Sequence, residues 1–202
     1  AGSSTWWCLI GGAKKWKEGA VSIETEDLQL TAEKEGREEE KFKVKIEWSN
    51  SSLTLAEVLE VLGKIPLPPY MQREAEEADE NRYQTTYASR PGSVAAPTAG
   101  LHFTPEILQQ TKAEVVKLTL HVSAGTFKPV SAETIGEHTM HHEECYVTRG
   151  ALQQLSLPKK KFAVGTTSLR TLESLHWLAV RLKKEGEFAE EITQHDAYTF
   201  ED

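Results

Sequence analysis

The sequence predicts a mixed α/β protein in two parts: a small antiparallel sheet or barrel over residues 1–62 and an α/β domain over residues 63–202. Three observations lead there. Bulky and β-branched residues alternate with polar ones through residues 1–50. The string Pro66-Leu67-Pro68-Pro69 then stiffens the chain and separates it into two segments. Beyond it, short apolar runs alternate with stretches of helical spacing. A composition of 39% hydrophobic and 27% charged residues suits a core-forming chain and excludes a disordered tail or a collagen-like rod.

In the first part, Trp6-Trp7-Cys8-Leu9-Ile10 is an apolar run closed by Gly11-Gly12, and Val21, Ile23 and Thr25 alternate with polar partners. Phe42, Val44, Ile46 and Trp48 do the same. The charged stretch from Thr31 to Glu40, with Gly36 inside it, reads as an exposed hairpin loop. Trp6, Trp7, Trp16 and Trp48 are expected in the core and at its rim. Thr54 followed by Glu57 has the spacing of a capping box, Leu55, Val58, Leu59 and Leu62 form an apolar face, and Gly63 stops the helix. The acidic run Glu74 to Glu80 reads as a solvated helix face or a loop. In the second part, Thr104-Pro105 starts a helix, and Leu118 to Val122 and Phe162-Ala163-Val164 read as strands. A long helix is expected from Leu169 to Lys184, with Leu172, Leu175, Ala179 and Leu182 on one face.

The net charge is −8, and each of the two parts carries −4, so neither is a basic module that grips nucleic acid electrostatically. RNA contact would have to use local clusters such as Lys14, Lys15 and Lys17, or Lys159, Lys160 and Lys161, which otherwise read as solvated turns. Cys8 and Cys145 lie far apart, give neither a disulfide framework nor a thiolate metal set, and fit a reducing cytoplasm. No charged leader precedes an apolar stretch, and the apolar runs are too short to span a bilayer. The expectation is a cytoplasmic protein with no membrane partner.

Four segments carry small, polar and histidine residues where a core would want bulk. Gly92-Ser93-Val94-Ala95-Ala96-Pro97-Thr98-Ala99-Gly100-Leu101-His102-Phe103 allows a backbone to approach a flat ligand closely, or packs as a tight loop. His121-Val122-Ser123-Ala124-Gly125-Thr126-Phe127 leaves a strand end, where α/β sheets place ligands. His138-Thr139-Met140-His141-His142-Glu143-Glu144 offers imidazoles and carboxylates but no HExxH spacing. Val164-Gly165-Thr166-Thr167-Ser168-Leu169-Arg170 places hydroxyls at a helix start, either as an anion site or as ordinary caps; it is not a Walker A loop.

In this order, these segments together with Gly63-Lys64-Ile65-Pro66-Leu67-Pro68-Pro69-Tyr70, Arg82-Tyr83-Gln84-Thr85-Thr86-Tyr87-Ala88 and Val164 to Ser174 resemble the S-adenosylmethionine:tRNA ribosyltransferase-isomerase (QueA) family of queuosine biosynthesis. The resemblance is collinear over roughly residues 53–185 and is carried most specifically by GSVAAPTAGLHF; residues 1–52 match loosely. It implies an α/β (α+β) catalytic domain with an inserted small antiparallel β-barrel domain. It implies transfer and isomerisation of the ribosyl part of S-adenosylmethionine onto 7-aminomethyl-7-deazaguanine at the tRNA wobble position, giving epoxyqueuosine and releasing adenine and methionine. S-adenosylmethionine is then a consumed substrate, no cofactor or metal is implied, and the macromolecular partner is a tRNA anticodon stem-loop; the protein itself is expected to be a monomer. The chain begins inside the implied barrel and stops after Tyr198-Thr199-Phe200, before the family's closing segment, so the expectation is a partial chain or one with segments left out. Ser123 stands where the family has glycine, and the Thr111 to Leu118 connection is short.

The sulfonium acidifies the ribose 5′ hydrogens, so this chemistry needs a general base, a donor near adenine and a dry pocket. Histidine titrates closest to the working pH. His102 or His121 is the expected base, with His141 and Glu143 next. Thr98, Gly100 and Phe103 are expected to line the nucleoside pocket. Arg82, Tyr83, Ser93, Ala95, Pro97, Ala99, Leu101, Gly125, Thr126 and Phe127 are further substrate contacts, and Thr166, Thr167 and Arg170 would hold the methionine carboxylate or an RNA phosphate. Two other readings stay open: a non-catalytic RNA- or nucleotide-binding fragment, and a metal-dependent hydrolase using His138, His141 and Glu143.

Overall fold

The computed structural model describes residues 2–127, 130 and 132–200. The chain divides into two compact units, Ala1–Lys64 and Ile65–Asp202.

In the first unit, β1 (Gly2–Leu9), β2 (Val21–Glu24), β3 (Gln29–Glu38) and β4 (Lys41–Trp48) form one antiparallel sheet in the order β1-β4-β3-β2. The central strand β4 carries the alternation seen in the sequence: Val44 and Trp48 are buried while Lys41, Lys43 and Glu47 face out. α1 (Leu55–Leu62) starts at Thr54, whose hydroxyl accepts from the Glu57 amide while the Glu57 carboxylate accepts from the Thr54 amide at 2.7 Å. Its Leu55 and Val58 join Leu28 and Trp48 in the core of this unit, with Val58 fully buried. The Trp48 indole donates to the Leu53 carbonyl at 2.9 Å, so the ring is buried without leaving its N–H unpaired.

Two expectations about this unit are corrected. The charged run from Thr31 to Glu40 is not a loop but most of β3, with a bulge between Lys34 and Gly36. Its charges are accommodated because one face is solvated and because Lys34 folds over the Trp16 and Phe42 rings, 5.2 and 5.4 Å from their centroids. The sheet also does not close into a barrel among the described residues. β1 and β2 are its edges, and four strands, one of them only four residues long, are too few to wrap round a filled interior. Trp6 and Trp7 on the edge strand are about half exposed.

The second unit mixes short helices with one small sheet. Residues 63–68 carry no regular secondary structure and lead into a 3-10 turn at Pro69–Met71. α2 (Glu77–Arg82) occupies the end of the acidic run. Thr104 caps α3 (Pro105–Gln110) with proline at its first position. β5 (Thr119–His121) pairs antiparallel with β6 (Glu144–Tyr146), His121 opposite Glu144. Thr148 caps α4 (Arg149–Ser156), and α5 (Thr166–Glu185) runs for 20 residues to Gly186, which adopts the left-handed conformation beside Lys183 and Lys184. α6 (Asp196–Thr199) ends the described chain. Phe162-Ala163-Val164 is not a strand: β6 takes the place beside β5, and Phe162 is left 83% exposed. On α5, Leu172 and Leu175 are half-buried as the spacing predicts, but Ala179 and Leu182 are exposed. No helix among the described residues is long and apolar enough to cross a membrane.

Candidate functional site

The four segments singled out in the sequence meet in a closed circuit of contacts within the second unit. The first contact is along β5. Ser93 donates its hydroxyl to the Leu120 carbonyl at 3.2 Å and accepts from the Val122 amide at 3.1 Å. Val94 donates its own amide to the Val122 carbonyl at 2.8 Å. The small-residue stretch is therefore tied to the end of β5 by the Ser93 hydroxyl and by backbone bonds to Val122. Gly92 sits over the imidazole of His121: its φ is +138°, and a β-carbon there would stand 2.5 Å from His121 Nδ1.

The chain then turns through the 3-10 segment Ala124–Phe127, where Gly125 backs onto the His141 side chain so closely that a β-carbon would collide with it. His141 Nε2 meets Glu143 Oε1 at 3.0 Å, and the Glu143 side chain is only 9% exposed. The His141 carbonyl accepts from Arg170 Nη2 of α5 at 2.6 Å. At the start of α5, Gly165 (φ +91°) lies against Ala99, whose Cβ would be 3.5 Å from an added β-carbon. That contact returns to the first segment and closes the circuit.

Within it, Ala95 and Gly100 are buried and anchor the stretch, while Ser93, Thr98, Ala99 and His102 keep exposed surface. Thr98–His102 is a 3-10 turn, and Phe103 fixes its end by accepting from the Thr86 hydroxyl at 2.9 Å. Pro97, Leu101, Phe103, Gly125 and Phe127 are half-buried, and Thr126 is exposed. Tyr83 is half-buried with its phenol held by the Ala96 backbone; burial pushes its pKa up, as it does for Tyr87, whose hydroxyl packs on Gly100. Arg82 ends α2 and is exposed. Thr166 and Thr167 do not stand at the N-cap of α5: Gly165 does, and it has no side chain to cap with.

Two polar atoms of this circuit are buried without a hydrogen-bond partner: His121 Nδ1 and Arg170 Nη1. Leaving such a group unpaired costs about 1–3 kcal/mol, and native structures retain few of them. His121 and His102 are thus separated by the structure. His102 is exposed at the end of its turn, whereas His121 is half-buried and packs edge-on against Tyr146, with ring centroids 5.7 Å apart. Tyr146 donates to Glu144 Oε1 at 2.6 Å, and this bond holds the phenol above its ordinary pKa. The Glu144–Tyr146 pair was not singled out in the sequence. The signal was there, since Glu144 and Tyr146 are two residues apart in a strand and so share a face with the partner of Glu144.

Beside the circuit a shallow groove of about 310 Å³ opens between residues 136–142 and 191–195, with Arg170 on its wall. Gln194 joins these two segments by accepting from the Met140 amide and donating to the His138 carbonyl, both at 2.8 Å. No residue of the Gly92–Phe103 stretch lines it. His138, His141 and Glu143 do not converge on one point, and among the described residues no three histidine, cysteine, aspartate or glutamate side chains are placed to hold a metal ion.

The second unit is a mixed α/β unit whose glycine-cleared turns bring His121 and His141 into one circuit of contacts. Residues 2–200 match the queuosine biosynthesis protein family, and the chain belongs to that family. That membership assigns it a role in the synthesis of queuosine. No solved structure matches the chain.

Proposed function

We propose that the protein transfers and isomerises the ribosyl group of S-adenosylmethionine onto 7-aminomethyl-7-deazaguanine in a tRNA anticodon loop, forming epoxyqueuosine. The observation that carries this reading is the closed circuit linking Gly92, His121, Gly125, His141, Arg170, Gly165 and Ala99. Family membership supports the pathway, and the circuit supports the chemistry.

His121 is assigned as the base that takes a 5′ proton next to the sulfonium. Its imidazole lies under a glycine and edge-on to Tyr146, with Nδ1 buried beneath Gly92, so the proton is assigned to the other ring nitrogen, Nε2. His141, oriented by the enclosed Glu143 carboxylate, is assigned as the donor that protonates adenine as the glycosidic bond breaks. The amine of the RNA base then bonds to the sugar and gives up a proton, and a sugar oxygen closes onto the sulfonium-bearing carbon, so that the epoxide C–O bond forms as the C–S bond breaks and methionine leaves with its electron pair. The exposed edge of Thr98 to His102 supplies the wall against which the nucleoside rests. An unstacked loop base can enter such a site without a basic surface to hold a duplex. His121→Ala is expected to lower the rate of adenine release at least about 100-fold, the scale of one general-base contribution. His141→Ala should do the same, and unchanged release in both variants rejects the assignments. A protein that binds S-adenosylmethionine and RNA yet turns over neither would favour the non-catalytic reading.

A further inference from the structure

The Arg170 guanidinium is not neutralised by the protein. Nη2 donates to the His141 carbonyl at 2.6 Å, Nη1 has no acceptor, and among the described residues no carboxylate pairs with it. A guanidinium stays charged at any working pH and presents its donors as a planar fork. Half-buried with one arm unpaired, it carries a desolvation cost that an acceptor from outside would relieve.

The same side chain walls the groove between residues 136–142 and 191–195. The two carboxylates of that groove are already engaged. Glu137 Oε2 accepts from the Thr134 amide at 3.2 Å, and Glu191 Oε1 faces His142 Nδ1 at 3.4 Å. His138 and His195 add further imidazole nitrogens to the lining. Arg170 is therefore a cation on the groove wall with unused hydrogen-bonding capacity. Gln194 spends both ends of its amide tying the two walls together, so the groove is held at a set width.

We propose that this groove is an oxyanion subsite in which Arg170 takes a carboxylate or phosphate group, flanked by His138, His142 and His195. The expectation of an anion near Arg170 is thereby moved from the start of α5, where Thr166 and Thr167 stand outside the groove lining, to its side. Reaching Nη1 requires the guanidinium to turn about its last side-chain torsions, and the planar fork then receives two oxygens of one group. The subsite does not depend on ribosyl transfer, because an anion seated there is detectable in protein that turns nothing over.

The test titrates the intact protein with inorganic phosphate and, separately, with acetate at constant ionic strength, following the groove residues by NMR. Saturable shifts at Met140, Gln194 and His195 with either probe support the subsite, and the probe that saturates identifies phosphate or carboxylate as the source. Arg170→Gln is expected to weaken that binding at least about tenfold. Arg170→Lys keeps the charge and a donor for the His141 carbonyl, so it serves if the Gln variant does not fold; losing the fork should still weaken binding about tenfold. No saturation with either probe, or a folded Lys variant that binds as tightly as the wild type, overturns the proposal.

Discussion

Gly92 shows how much of the candidate site rests on single atoms. Its φ of +138° is strained for any side chain, and the space a β-carbon would fill is occupied by the His121 ring. Gly92→Ala should therefore destabilise the fold by about 3 kcal/mol and displace His121. Urea denaturation followed by circular dichroism checks this, and a variant as stable as the wild type would show that the ring is not held there. The sequence places His121 at a strand end, and β5 ends there. The proposed preference for His121 over His102 rests on which imidazole the antiparallel partner encloses, and β6 lies more than twenty residues away in the chain, so the sequence alone does not supply it.

At the scale of elements, local rules worked where the signal was local. Thr54 with Glu57, and Thr104 with Pro105, each mark a helix start by bonds made within a few residues. They failed where pairing decides. β3 looked like a loop because its charges lie on a solvated face and because a bulge breaks its period. Phe162-Ala163-Val164 looked like a strand but has no strand beside it. α2 yields a prediction of its own. Arg73 grips Asp79 with both arms, at 2.6 and 2.8 Å, and Asp79 also accepts from the Glu76 amide at 2.8 Å. The guanidinium, and after it the amide, hold the Asp79 carboxyl well below the usual carboxylate range. Its contribution to stability is thus complete above about pH 4, the ordinary aspartate value, and is lost as the pH falls from there toward the folded value. Asp79→Asn should lower the urea midpoint by a constant amount above about pH 5, and the gap to wild type should narrow on acidification. A gap that widens in acid would contradict this account.

At the scale of the whole molecule, the charge of −8 limits how RNA is held. Lys159 is paired with Glu114 at 3.1 Å, and Lys161 donates to the Leu157 carbonyl at 2.9 Å, so one of the two lysine clusters is partly committed within the protein. Binding of an anticodon stem-loop should weaken with salt only gently, with a log–log slope no steeper than about −3. A slope near −7, equivalent to about ten phosphates on a single strand, would require a basic surface that this composition lacks. The division into two units has a sequence counterpart in the proline string, whereas the open sheet does not: whether strand edges meet is decided by the number, length and tilt of strands together, which alternation alone does not encode.

The most direct measurement is the mass of an anticodon stem-loop carrying 7-aminomethyl-7-deazaguanine after incubation with the protein and S-adenosylmethionine. The circuit of glycines and histidines predicts RNA converted to its epoxyqueuosine form, with adenine and methionine released in equal amount and conversion lost in His121→Ala. Unmodified RNA alongside intact S-adenosylmethionine, from protein shown to bind both, would contradict it.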